Sequence, residues 1–163
     1  MQNSNQTAES GVAPQLPSLL AAPFKLVPDL VHTRLLVALL NHLFQQQLQE
    51  GELDFLESKT AVIHLLDAGV QFRFTKGREQ LVAHSGDGPI DLIISGNLYD
   101  FIQLSVGEED PDTLFFQRRI HLEGNVELGL ETKNLIYGLD MDALTIPAPL
   151  RTALDKAINF YRK

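Results

Sequence analysis

The chain has 163 residues, 44% of them hydrophobic, and a formal charge of -8. That length supports one domain with a core of its own, and the acidic balance disfavours nucleic acid, whose phosphates need a positive footprint. The absence of cysteine excludes disulfides, thiolate metal sites and cysteine nucleophiles, and fits a cytoplasmic setting.

Residues 1–13 are polar and rich in small side chains, the composition of a disordered tail. They lack the charged start and apolar stretch of a secretory signal. No apolar run reaches the roughly 18 residues of a membrane span. Residues 14–28 are a separate segment in which Pro14, Pro17, Pro23 and Pro28 punctuate Leu16, Leu19, Leu20, Phe24, Leu26 and Val27. It either packs back on the domain or serves as a lid, membrane contact or partner contact. The domain proper is expected over 29–163.

The spacing of Leu36, Leu40, Phe44 and Leu48 predicts a helix over 29–49, opened by Pro28-Asp29 and closed by Gly51. Strand patterns follow at 60–66 and 70–75, where Phe72 and Phe74 alternate with polar residues. Lys76-Gly77-Arg78 predicts a hairpin turn into 80–84, and Leu92, Ile93 and Ile94 mark a central strand over 91–95. Asn97 is positioned to cap a helix to about residue 105, and Asp110-Pro111 to start another. A strand over 118–123, a helix over 126–139 and an amphipathic helix over 147–161 complete the chain. Strands that gather early, with helices after them and one late strand rejoining, give an α+β fold.

Chemical signals are sparse. His32, His42, His64, His84 and His121 form no metal-ligand spacing, although His64, His84 and His121 could meet across strands. Gly86-Asp-Gly88 is too short for a phosphate loop. Glu108, Glu109, Asp110 and Asp112 read as a solvated loop with acids at a helix start. No cofactor, metal or catalytic residue is expected.

One stretch is distinctive: Asp110-Pro-Asp-Thr-Leu-Phe-Phe-Gln-Arg-Arg-Ile-His-Leu-Glu-Gly-Asn-Val-Glu-Leu-Gly-Leu130. Its Phe115-Phe116 turn, strand, Gly124-Asn125 and Leu128-Gly129 resemble the signature of the sterol carrier protein 2 domain family, and the likeness extends over about residues 30 to 140. Gly51-Glu-Leu-Asp-Phe-Leu-Glu57 adds similarity to a bacterial subgroup of accessory factors in ubiquinone biosynthesis. The resemblance implies a mixed five-stranded sheet, covered by helices, around an apolar lipid tunnel. It also implies a non-enzymatic role in oxygen-independent ubiquinone formation beside other biosynthesis proteins. The ligand would be an isoprenoid quinone precursor or a phospholipid, with transient membrane contact. The terminal Tyr161-Arg162-Lys163 is not a peroxisomal targeting tripeptide, and the segment 14–28 has no counterpart in the minimal carrier domain.

On that reading the expected cavity wall is Phe44, Phe72, Phe74, Ile94, Phe101, Leu104, Phe115, Phe116, Leu128, Leu135 and Leu139. Arg118 and Arg119 are candidates for a phosphate headgroup, with pairing to Glu123 or Glu127 the simpler alternative. A scaffold that assembles biosynthetic partners without carrying lipid is the competing function, and a homodimer is compatible with either.

Overall fold

A computed structural model describes residues 28–140, 144 and 146–161. The expected tail and nearly all of the proline-rich segment, apart from Pro28, lie outside the described residues.

The long first helix forms as two pieces, α1 (Asp29–Leu43) and α2 (Gln45–Gln49). Phe44 sits between them at ψ 20°, yet its N–H still reaches Leu40 O and its carbonyl still accepts from Leu48. The ladder is therefore bent rather than broken. A 3₁₀ turn, Asp54–Leu56, then leads to the sheet. Strands β1 (Ala61–Leu65), β2 (Val70–Lys76), β3 (Leu81–Ala83) and β4 (Leu92–Gly96) precede helices α3 (Leu98–Ser105) and α4 (Pro111–Phe116). Strand β5 (Ile120–Gly124) and helices α5 (Val126–Gly138) and α6 (Ala148–Tyr161) follow.

The sheet order is β3-β2-β1-β4-β5. Only β1 and β4 run parallel; the other neighbours are antiparallel. Register puts Ala61, Ile63, Phe72, Phe74, Leu92 and Ile94 on one face, because side chains alternate with period two. This face carries the core. Val37, Leu53, Leu56, Ala61, Phe74, Leu81, Leu92 and Leu128 form one buried cluster; Leu65, Ala68, Val70 and Phe72 form another.

The other face carries the polar partners in the alternation. There His64 and His121 flank Ser95 from either side, two strands apart. Among the described residues no group of three or more His, Asp or Glu is placed to hold a metal ion.

Several local signals form as the sequence predicts. Asp110 accepts a hydrogen bond from the Thr113 N–H at 3.2 Å, and Pro111 opens α4. Asn125, which the sequence offers only as part of a turn, also proves to cap α5, accepting from the Leu128 N–H at 3.1 Å. Gly124 must be glycine: its φ is +107°, and a Cβ there would collide with the Asp91 carbonyl where β5 meets the start of β4. The expected cap on α3 differs. Asn97 occupies the N-cap position without a side-chain bond, and the Asp67 carboxylate, from the β1–β2 turn, accepts the Leu98 N–H at 3.0 Å. A charged acceptor from a neighbouring turn replaces the local amide at a helix end that favours negative charge.

Edge strand β3 is held by Asn41 of α1. Its side chain donates to Leu81 O at 2.8 Å and accepts from Leu81 N at 2.7 Å. Leu81 is almost wholly buried, so removing this amide strands two backbone groups. Asn41→Ala is expected to cost about 2 kcal/mol, read as a lower urea midpoint at unchanged slope.

Candidate functional site: an apolar cavity under the sheet

A cavity of about 300 Å³ lies between the inner face of the sheet and helices α1, α3 and α5. The volume is about twice the roughly 150 Å³ known to accept one benzene ring. Helix α1 contributes Leu36, Leu39, Leu40 and Leu43, followed by Phe44 at the bend. The 3₁₀ region adds Leu53, Phe55 and Leu56. The sheet floor is Ala61, Ile63, Leu65, Phe72, Phe74, Leu81, Leu92 and Ile94. Phe101, Ile102, Leu104 and Ser105 come from α3, and Thr132, Leu135 and Ile136 from α5, with Leu139 and Leu144 beyond it.

The wide apolar arc of α1 explains the arrangement. Thr33 and Val37 are buried on one flank and Asn41 is tied to β3, whereas the leucines at 36, 39, 40 and 43 turn into the cavity. The i, i+3, i+4, i+7 spacing places those leucines on a common face.

Of the residues the sequence nominated for the wall, the structure brings together Phe44, Phe72, Phe74, Ile94, Phe101, Leu104, Leu135 and Leu139. It does not bring three others there, and these expectations are corrected. Leu128 is buried in the larger core cluster but does not line the cavity. Phe115 lies edge-on to Tyr137 with ring centroids 6.0 Å apart, and Lys133 Nζ sits 5.7 Å from its ring centre. Phe116 is 91% exposed. The reason is helical phase: Leu114, wholly buried, takes the inward position of the short α4, and each later residue is rotated by about 100°. Phe116→Asp is accordingly expected to shift stability by less than about 0.5 kcal/mol and to leave the cavity intact, as thermal melting would register.

The arginine expectations also change. Arg119 is engaged inside the protein. Its Nε and a terminal nitrogen both reach Asp100 Oδ1, at 2.7 and 2.6 Å, and Nη1 meets Glu109 at 3.1 Å. It also donates to Gln103, whose amide in turn donates to Tyr99 Oη at 2.9 Å. Asp100 and Glu109, and neither Glu123 nor Glu127, are its acidic partners, so the guanidinium is already engaged within the protein. Arg118 stands exposed on a left-handed turn, φ 57°. The acidic loop is accounted for similarly: Glu109 binds Arg119, Asp110 caps α4, and Asp112 accepts from Tyr137 Oη at 2.6 Å.

Sequence reasoning missed much of the wall. For α1, β1 and β4 the signal was present, since leucines at helical spacing and apolar residues of one strand parity point the same way. No local pattern announces Leu53, Phe55 and Leu56.

Among the described residues the wall's polar side chains are Ser105 and Thr132. Ser105 donates to Ile102 O at 2.8 Å. Thr132 is 5% exposed, and its hydroxyl has no hydrogen-bond partner. An unmatched buried hydroxyl costs about 1–3 kcal/mol. Among the described residues the wall holds no charged side chain, so shape and apolar contact dominate recognition.

Comparison with known proteins agrees with this architecture. Residues 40–137 match the model of the SCP-2 sterol transfer family. The chain is 37% identical over 144 residues to the ubiquinone biosynthesis accessory factor UbiT of Escherichia coli strain K12, covering 88% of this chain and 81% of that protein. UbiT of Escherichia coli O157:H7 gives the same values. The solved structure described as UbiJ-SCP2 ubiquinone synthesis protein superposes with a TM-score of 0.53 at 15% identity, covering 70% of this chain and 96% of that one. This likeness concerns the fold alone. With the mixed sheet, the covering helices and the matched segment in place, the chain belongs to the SCP-2 sterol transfer family.

Proposed function

We propose that this protein is a non-enzymatic lipid-binding accessory factor of ubiquinone biosynthesis, holding a prenylated quinone intermediate or a membrane phospholipid in its cavity. The observation that carries the reading is the apolar cavity of about 300 Å³ beneath the sheet. The similarity to UbiT supplies the pathway.

The energetics suit such a guest. Each methylene taken from water contributes about 0.8 kcal/mol, so a ten-carbon segment brings on the order of 8 kcal/mol before the costs of association. No special chemistry is required of the wall. The volume accommodates a ring with a short stretch of chain, so the rest of a long tail lies outside. Among the described residues no helix is long and apolar enough to cross a membrane; on this reading contact with the bilayer is transient and delivery is to other biosynthesis proteins.

Solvent extraction of freshly purified full-length protein, followed by mass spectrometry, tests the proposal. A stoichiometric isoprenoid quinone precursor or phospholipid is expected. Protein free of lipid, and unable to take up either from vesicles, would overturn it in favour of a scaffold.

A further inference from the structure

We propose that the Thr132 hydroxyl is a specificity group that hydrogen-bonds a neutral oxygen of the bound ligand, so that the cavity selects an oxygenated ring over plain hydrocarbon. The inference rests on the lipid-binding reading above and deepens it.

A threonine inside a helix ordinarily satisfies its hydroxyl by donating to a carbonyl three or four residues back. Two threonines of this protein do so: Thr33 donates to Asp29 O at 2.8 Å and Thr152 to Ala148 O at 3.1 Å. Thr132, equally helical, does not, and its oxygen is buried without a partner. It belongs to a cavity wall whose other hydroxyl among the described residues, Ser105, is already engaged with Ile102. One unspent hydroxyl in an apolar enclosure has a definite preference. It can donate to a carbonyl, ether or phenol oxygen, or accept from a phenol O–H. With no cation among the described residues of the wall to neutralise it, a carboxylate or phosphate placed there would lose its hydration for a single neutral partner. The matching ligand chemistry is thus a neutral oxygen on an apolar ring, and the cavity volume suits a ring of that kind.

The test compares 4-nonylphenol with nonylbenzene, which differ by one hydroxyl, as displacers of a fluorescent apolar dye. Full-length wild type, Thr132→Val and Thr132→Ser are measured in parallel. The quantity read is the affinity ratio of the two ligands, so their differing hydration cancels between variants. The ratio is expected to fall about three- to tenfold in Thr132→Val, the worth of one hydrogen bond, and to be kept in Thr132→Ser. Nonylbenzene affinity should be unchanged or tighter in Thr132→Val, whose melting point should equal or exceed that of wild type. An equal ratio in wild type and Thr132→Val would overturn the role of Thr132 while leaving the cavity reading intact. Failure of both compounds to displace dye from any variant would instead sink the lipid-binding reading. If Thr132→Val does not fold, Thr132→Ala replaces it under the same criterion.

Discussion

Arg119→Met is expected to cost about 3–5 kcal/mol of folding stability at neutral pH. Asp100 is 1% exposed, and Arg119 holds it with two nitrogens. Removing the guanidinium leaves a buried carboxylate without its counter-charge, and also strips Gln103 and Glu109 of a donor. The loss has a pH signature. Burial is the largest influence on Asp100 and pushes its carboxyl above the ordinary 3.8, against the opposing pull of Arg119. Between 3.8 and that raised value the folded state binds the proton more tightly than the unfolded chain. Stability contributed by this group is therefore present at low pH and lost as pH rises through the window. Without Arg119 the upward push meets only the weaker opposition of the Asn97 backbone hydrogen bond, and the window widens. Urea titrations of the variant at pH 7 and pH 5 should show a smaller deficit at pH 5. Adding Asp100→Asn should recover much of the loss at pH 7. A deficit below about 1 kcal/mol at both pH values, far under the usual cost of orphaning a buried charge, would show that the pair does not hold α3 to the turn before β5.

The second large effect concerns the cavity itself. The double substitution Ile63→Phe, Ile94→Phe is expected to lower recovered lipid by more than about tenfold, the equivalent of losing two or more methylenes' worth of burial. Ile63 and Ile94 are register partners on adjacent parallel strands, both half-buried and both on the cavity floor. Larger rings there grow into empty space, unlike insertions into a filled core, which cost about 1–3 kcal/mol. Thermal melting should therefore hold its midpoint or rise. Undiminished lipid in a variant that melts normally would mean that lipid binds elsewhere.

These two experiments probe different layers of the structure, and the layers were unequally legible beforehand. The element order, the cap at Asp110 and the hairpin after Lys76 were readable because each depends on bonds between residues a few positions apart. Phe72 and Phe74 were readable as a pair because strand alternation is local. Helix α4 was harder. Leu114, Phe115 and Phe116 are all apolar, and hydrophobicity alone does not say which of three successive side chains turns inward.

The amino-acid sequence by itself determined the α+β element order, the family signature around Gly124-Asn125 and an interior rich enough in leucine and phenylalanine to house a guest. Tertiary structure alone decided the rest: that Asn41 ties down a strand 40 residues away, that Arg119 faces Asp100, and that Thr132 is left without a partner beside an empty space. A hydrogen bond within a turn is fixed by neighbours in the chain. A cavity is the mismatch between surfaces contributed by distant segments, so it exists only once those surfaces have met.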